Sequence, residues 1–182
     1  LMAPKRGEKA DIVAHTAQNA KEALARKLSE TASQQNLLSA VAETFDLEGP
    51  IRRIEVFDNS HLGGTNQLGG MIVATEEGFV KNQYRKFNIK NADTVPGDDY
   101  AMMQEVLTRR YERMVREENS DSSNRPDLIL IDGGKGQLGI ARKVMAELGL
   151  DIPLIGIAKG PDRNAGREQF FMPEREVFNL PP

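Results

Sequence analysis

Leu128-Ile129-Leu130-Ile131-Asp132-Gly133-Gly134 is an apolar run that stops at an aspartate and passes into a glycine turn. A short run of this kind marks a strand covered on both faces. The same ending occurs earlier, where Ile54-Glu55-Val56-Phe57-Asp58 leads into a polar, glycine-bearing stretch at 59–66. In α/β sheets, ligands gather beyond the carboxyl ends of strands. If the two strands are parallel neighbours, Asp58 and Asp132 lie side by side. Two carboxylates that close repel unless a cation sits between them, and hard divalent cations such as magnesium prefer oxygen ligands. The plainer reading gives each aspartate a loop-capping role.

Working outward, residues 51–58, 69–75 and 79–89 read as strands, with Glu76-Glu77-Gly78 as a tight turn between the last two. Economy of connection makes them an antiparallel meander. After a loop at 91–96, Asp98 or Asp99 can cap a helix running to about residue 118, with Met102, Met103, Val106, Leu107 and Tyr111 among its apolar positions. A polar linker is expected at 119–125, a helix at 137–148, a buried strand at 152–158 and short strands at 169–172 and 176–178. Upstream, 11–30 and 34–45 read as two helices joined near 31–34. Ile12, Ala17, Ala20, Leu24 and Leu28 on the first, and Leu37, Leu38, Val41 and Phe45 on the second, are expected to pack against the core. Gly49-Pro50 then breaks the chain. The order predicts an α/β fold, a mixed sheet flanked by helices, divided into an N-terminal helical arm at 1–48 and a domain at 49–182.

With 182 residues, 39% hydrophobic and 28% charged, the chain is long enough for one domain with a real core. No run approaches the roughly 20 apolar residues of a membrane span, and the start does not read as a secretory signal. The absence of cysteine excludes disulfides and thiolate metal sites and is compatible with a reducing cytoplasm. A net charge of −3 counts mildly against nucleic acid. Basic residues nevertheless cluster at Arg52-Arg53, Arg85-Lys86 and Arg109-Arg110 with Arg113 and Arg116.

Other motifs carry less. Gly133-Gly134-Lys135-Gly136-Gln137 departs from the spacing of a nucleotide-binding phosphate loop. Lys135 can still meet a DNA phosphate at a helix entrance, or be a solvated turn residue. His15 reads as surface. His61, three residues past Asp58, can orient a carboxylate, contact phosphate, ligate the metal or cap its turn. Asp98 and Asp99 form a further acidic pair, either helix caps or supports for the metal. Arg109 and Arg110 are a phosphate-binding ridge or a solvated helix face. A serine triad has no support around Ser60.

Several long stretches then point one way together. Arg53-Ile54-Glu55-Val56-Phe57-Asp58-Asn59-Ser60-His61, the residues Gly63, Thr65 and Asn66, Tyr84-Arg85-Lys86-Phe87-Asn88-Ile89, Gly97-Asp98-Asp99-Tyr100-Ala101-Met102, Val106-Leu107-Thr108-Arg109-Arg110-Tyr111 and the run from Pro126 to Leu138 resemble the UvrC family. Members of that family are the nuclease component of the bacterial UvrABC excinuclease of nucleotide excision repair. The resemblance covers nearly the whole chain, with Ala17-Gln18-Asn19-Ala20 matching the segment ahead of the nuclease core.

The resemblance implies a ribonuclease H-like fold and a Mg2+- or Mn2+-dependent endodeoxyribonuclease that incises on the 5′ side of a lesion. By motif it makes Asp58 and Asp132 the metal ligands and gives the Asp98-Asp99 motif a role in incision. Arg85, Arg109, Arg110, Lys135 and His61 are the expected nucleic-acid contacts. Damaged double-stranded DNA and UvrB, with UvrA upstream, are the implied partners, and the cytoplasm the implied location. The family's catalytic histidine belongs to a later motif with no match here, and His61 is not that residue. The nuclease domain is therefore expected to be incomplete at its C-terminus and weak or inactive in isolation. The competing expectation is a non-catalytic module of the same scaffold that holds DNA or a repair partner.

Overall fold

The computed structural model describes residues 6–62, 65–89, 98–117, 124–160 and 168–180, without the side chains of 60–62 and 65–67. The loop expected at 91–96, most of the linker expected at 119–125 and the side chain of His61 lie outside the described residues.

Helix α1 (Glu8–Phe45) leads into β1 (Arg53–Leu62), β2 (Thr65–Thr75), β3 (Gly78–Phe79) and β4 (Arg85–Asn88), with a 3-10 turn at Lys81–Gln83. There follow α2 (Asp99–Glu117), β5 (Leu128–Asp132), α3 (Lys135–Glu147), β6 (Leu154–Ala158), β7 (Gln169–Phe171) and β8 (Phe178–Asn179). The described strands form one mixed sheet in the order β3-β2-β1-β5-β6-β7-β8, with β4 also paired to β2. β1, β5 and β6 are parallel and the outer pairs antiparallel.

Strand alternation sorts the core onto two faces. Phe57, Met71, Val73, Ile129 and Ile131 turn toward the buried side of α2 and α3. Ile54, Leu128 and Ile155 turn the other way, toward the last turns of α1, β7 and β8. On the first face α2 lies directly on β2. A Cβ at Gly69 would come within 2.3 Å of Val106 Cγ2, so only glycine allows this approach.

Three expectations are corrected. Residues 11–45 form one helix, not two. The expected joint, Thr31-Ala32-Ser33-Gln34, contains neither glycine nor proline, so nothing interrupts the hydrogen-bond ladder. Nor does the apolar stripe pack along its length. Ile12, Leu24, Leu28 and Leu37 are exposed, whereas Leu38 and Phe45 are buried. The Phe45 ring sits 5.3 Å from that of Phe170 and 5.9 Å from that of Phe178. Arg175 donates to Phe45 O and to Asp46 Oδ2, closing the C-terminal end, where a cation suits the helix dipole.

The second correction concerns the loop expected at 59–66. The β1–β2 ladder continues through Asn59↔Gly69 and His61↔Gln67, because backbone pairing does not require apolar side chains. Third, the strand expected over 79–89 is split by the 3-10 turn, and its two parts pair separately with β2.

Candidate metal centre

β1 and β5 run parallel with Phe57 opposite Ile131 as their last pair, so Asp58 and Asp132 follow as neighbours just past the end of the parallel ladder. Val56 and Leu130, two residues earlier on each strand, pack on the α1 face. Alternation therefore sends both aspartates to that face, beyond the point where α1 covers it. Both are exposed at its open end.

Their electrostatics agree with this placement. The Asp58 carboxyl is held above its ordinary value, first by partial burial and then by the charge of Asp132. A hydrogen bond from the Asn59 backbone and the charge of Lys159 act in the opposite direction. Lys159 stands one residue past the end of β6, whose Ile157 is paired with Asp132. Lysine at the end of an apolar strand gives little sequence signal, and its place beside Asp58 becomes visible only once β6 is set next to β5.

The backbone behind the aspartates is closely fitted. Gly133 N–H donates to Ile157 O at 2.8 Å, and a Cβ on Gly156 would lie 2.9 Å from Gly133 O. Glycine at 156 thus lets the turn after Asp132 settle onto β6. Asn59 Nδ2 donates to Asp99 O, tying the first turn of α2 to the residue after Asp58. Asp98 caps that helix by accepting from Ala101 N–H at 3.0 Å. Lys135 opens α3 and is exposed.

Hard carboxylate oxygens paired in this way fit a divalent cation. Among the described residues no group of three or more His, Cys, Asp or Glu side chains is arranged to hold one, so Asp58 and Asp132 stand as a pair.

The arginines expected at the nucleic-acid surface are not beside this pair. Arg110 lies on the α2 face and is engaged with Glu55, so it is not a solvated surface residue. Its Nε and Nη2 donate to Glu55 at 3.1 and 2.6 Å, and Nη2 also donates to Asn124 O. Glu55 has no solvent exposure and also accepts from Arg53 and from Tyr111 Oη. Burial, then the Glu55 charge, pushes the Tyr111 hydroxyl well above its ordinary value. Arg109 lies over Phe87 and donates to Asn88 O and Glu105, while Arg85 donates to the carbonyls of Asn82 and Tyr84.

A central antiparallel hairpin, two further parallel strands and flanking helices, with aspartates just past the last paired residues of two adjacent parallel strands, define a ribonuclease H-like domain. The UvrC RNAse H endonuclease domain matches residues 42–182, and the chain belongs to that family. UvrABC system protein C of Caulobacter vibrioides is 58% identical over 184 residues, covering 100% of this chain and 29% of that protein. The protein of the same name from Brucella suis is 56% identical over 190 residues, covering 98% of this chain and 31% of that protein. The chain thus spans under a third of the length of these relatives. A solved structure of Ciona intestinalis endonuclease V with an inosine-containing DNA has a TM-score of 0.45 and 16% identity, over 77% of this chain and 59% of that one.

Proposed function

We propose that this chain is the phosphodiester-cleaving part of a nucleotide excision repair endonuclease, acting 5′ to a lesion in double-stranded DNA. The observation that supports this reading best is the adjacency of Asp58 and Asp132 on parallel strands, turned to the open end of one face. Asp58 and Asp132 would hold magnesium or manganese. When bound there, the ion would supply Lewis acidity to a water and to the scissile phosphate.

The other residues have positioning roles. Lys159 balances the charge of Asp58 and offers a donor to a phosphate oxygen brought between them. Lys135 receives the strand at the start of α3, where backbone donors also point outward. Asn59 fixes the β1 end against α2, so the Asp58 carboxyl keeps its place beside Asp132. Asp98 acts through its cap on α2, and Asp99 through its carbonyl bond to Asn59. The relatives are named UvrABC system protein C, and the parent protein would accordingly work with UvrB and UvrA in the cytoplasm. No helix among the described residues is long and apolar enough to cross a membrane.

A manganese titration followed by thermal melting tests the site. The wild-type midpoint should rise with manganese, because an ion that binds only the folded state stabilises it by mass action. Asp58→Asn and Asp132→Asn should each remove most of that rise. An equal rise in all three proteins would refute the assignment of the pair.

A further inference from the structure

On the opposite face of the sheet, between β2, β4 and the C-terminal half of α2, is a cavity of 150 Å³ walled by Arg53, Arg85, Arg109, Arg110 and Arg113. Met71 and Phe87 give it an apolar side, and Gln83 and Asn124 add amide groups. We propose that this pocket is a second anion site, which holds a backbone phosphate of nucleic acid on the face away from Asp58 and Asp132.

Charge is the first reason. Arg53 and Arg110 both close on the single carboxylate of Glu55, at 2.8 and 2.6 Å, with side chains only 9% and 11% exposed. One carboxylate balances one of the two guanidiniums, so one positive charge is left in a largely dry place. Arg109 is paired with Glu105 and Arg113 with Glu117. The hydrogen bonds of the Arg85 guanidinium go to two carbonyls. Among the described residues, the five arginines that wall the pocket exceed the carboxylates paired with them, Glu55, Glu105 and Glu117, by two. A charge removed from water is costly unless it meets a counter-charge, and the pocket opens to where one can enter.

Preparation is the second reason. Glu55 fixes two guanidinium planes before any ligand arrives, so less side-chain entropy remains to be lost on binding. Nη1 of Arg110 takes no part in its bonds to Glu55 and Asn124. Guanidinium donors reach the cavity from β1, β4 and α2. That spread suits the tetrahedral oxygens of a phosphate better than the flat pair of a carboxylate. The volume takes several waters and therefore the five heavy atoms of a phosphate group.

Continuity favours a polymer. Arg109, Arg113 and Arg116 follow at helical spacings of four and three along α2, so they share a side of the helix. A row of cations leading from a pocket suits a chain of phosphates. The inference rests on the nucleic-acid reading above for the identity of that polymer, but not for the charge or shape of the pocket.

The test uses this chain in EDTA, so that cation binding by the aspartates plays no part. A fluorescein-labelled 20-mer DNA duplex is titrated by anisotropy across a salt series, against Arg85→Gln/Arg113→Gln and the charge-matched control Arg26→Gln/Lys27→Gln on the exposed turns of α1. Arg85 and Arg113 are exposed and make no bond to Glu55, and an unchanged thermal midpoint checks that double variant's fold. The α1 control should bind as wild type does. The double variant should bind at least tenfold more weakly, and its slope of log affinity on log salt should fall by about 2, one phosphate contact per arginine. Unchanged affinity and slope would overturn the pocket while leaving the manganese test of Asp58 and Asp132 standing. Competition then identifies the ligand. Stronger displacement by unlabelled duplex than by inorganic phosphate or polyglutamate supports a nucleic-acid strand. Saturation by inorganic phosphate without gain from the polymer, or tighter binding of polyglutamate, would overturn it.

Discussion

Asp58 carries a carboxyl whose protonated form is favoured by burial and by its neighbour Asp132. Between the ordinary value of 3.8 and the raised one, the folded chain binds more protons than the unfolded chain. Stability therefore falls as pH rises through that window, and the full penalty persists above it. Asp58→Asn should consequently melt at or above the wild-type midpoint at neutral pH in EDTA, with the difference shrinking toward acid pH. A lower midpoint in calorimetry would mean that Asp58 contributes more by bonding than it loses by repulsion. The adjacency of Asp58 and Asp132 was legible because an apolar run closed by a carboxylate is a one-dimensional pattern. Glu55 was not. It lies between Ile54 and Val56, so alternation alone points it toward water, and its burial depends on Arg110 and Tyr111, more than fifty residues later. Lys159 is a similar case, since its meaning comes from the neighbouring strand.

At the level of elements, the antiparallel pairing of β1 with β2 followed from economy of connection and the parallel pairing of β1 with β5 from their shared ending, but helix α1 did not behave as its stripe suggested. Leu24 and Leu28 have helical spacing and stay 59% and 61% exposed, while Phe45 is 5% exposed. Periodicity shows which residues share a side of a helix, and whether another element reaches that side is a tertiary fact. Phe45→Ala should cost about 3–5 kcal/mol in denaturant unfolding, as large-to-small changes in a packed site do, whereas Leu24→Ala should fall within about 0.5 kcal/mol of wild type. Equal losses would show that the outer turns of α1 are packed in solution. The proposed division at residue 48 concerns the same helix, because α1 enters the second core through Leu38 and Phe45 before that point.

Over the whole molecule, an overall charge of −3 conceals an uneven distribution. The aspartate pair occupies one face and the arginine pocket the other, so net charge says little about whether a polyanion can bind locally. The pair also stands without a third His, Cys, Asp or Glu among the described residues. In a nicking assay on damaged duplex with manganese, this chain should be slower than the full Caulobacter relative by about 10²-fold or more, the scale of general acid–base help. Equal rates, lost in Asp58→Asn, would place the remaining group within this chain, with His61 the first to examine. The helix that enters beneath this sheet has a mechanical consequence. Its 38 residues make a rod of about 57 Å, seated at one end by Phe45 against Phe170 and Phe178. A 10° swing about that seat would carry the far tip through about 10 Å. A load applied at the tip would act on Leu38 and Phe45, which seat the helix, and through the Phe45 ring on the short β7–β8 hairpin, so the free turns would work as a lever on that edge of the sheet.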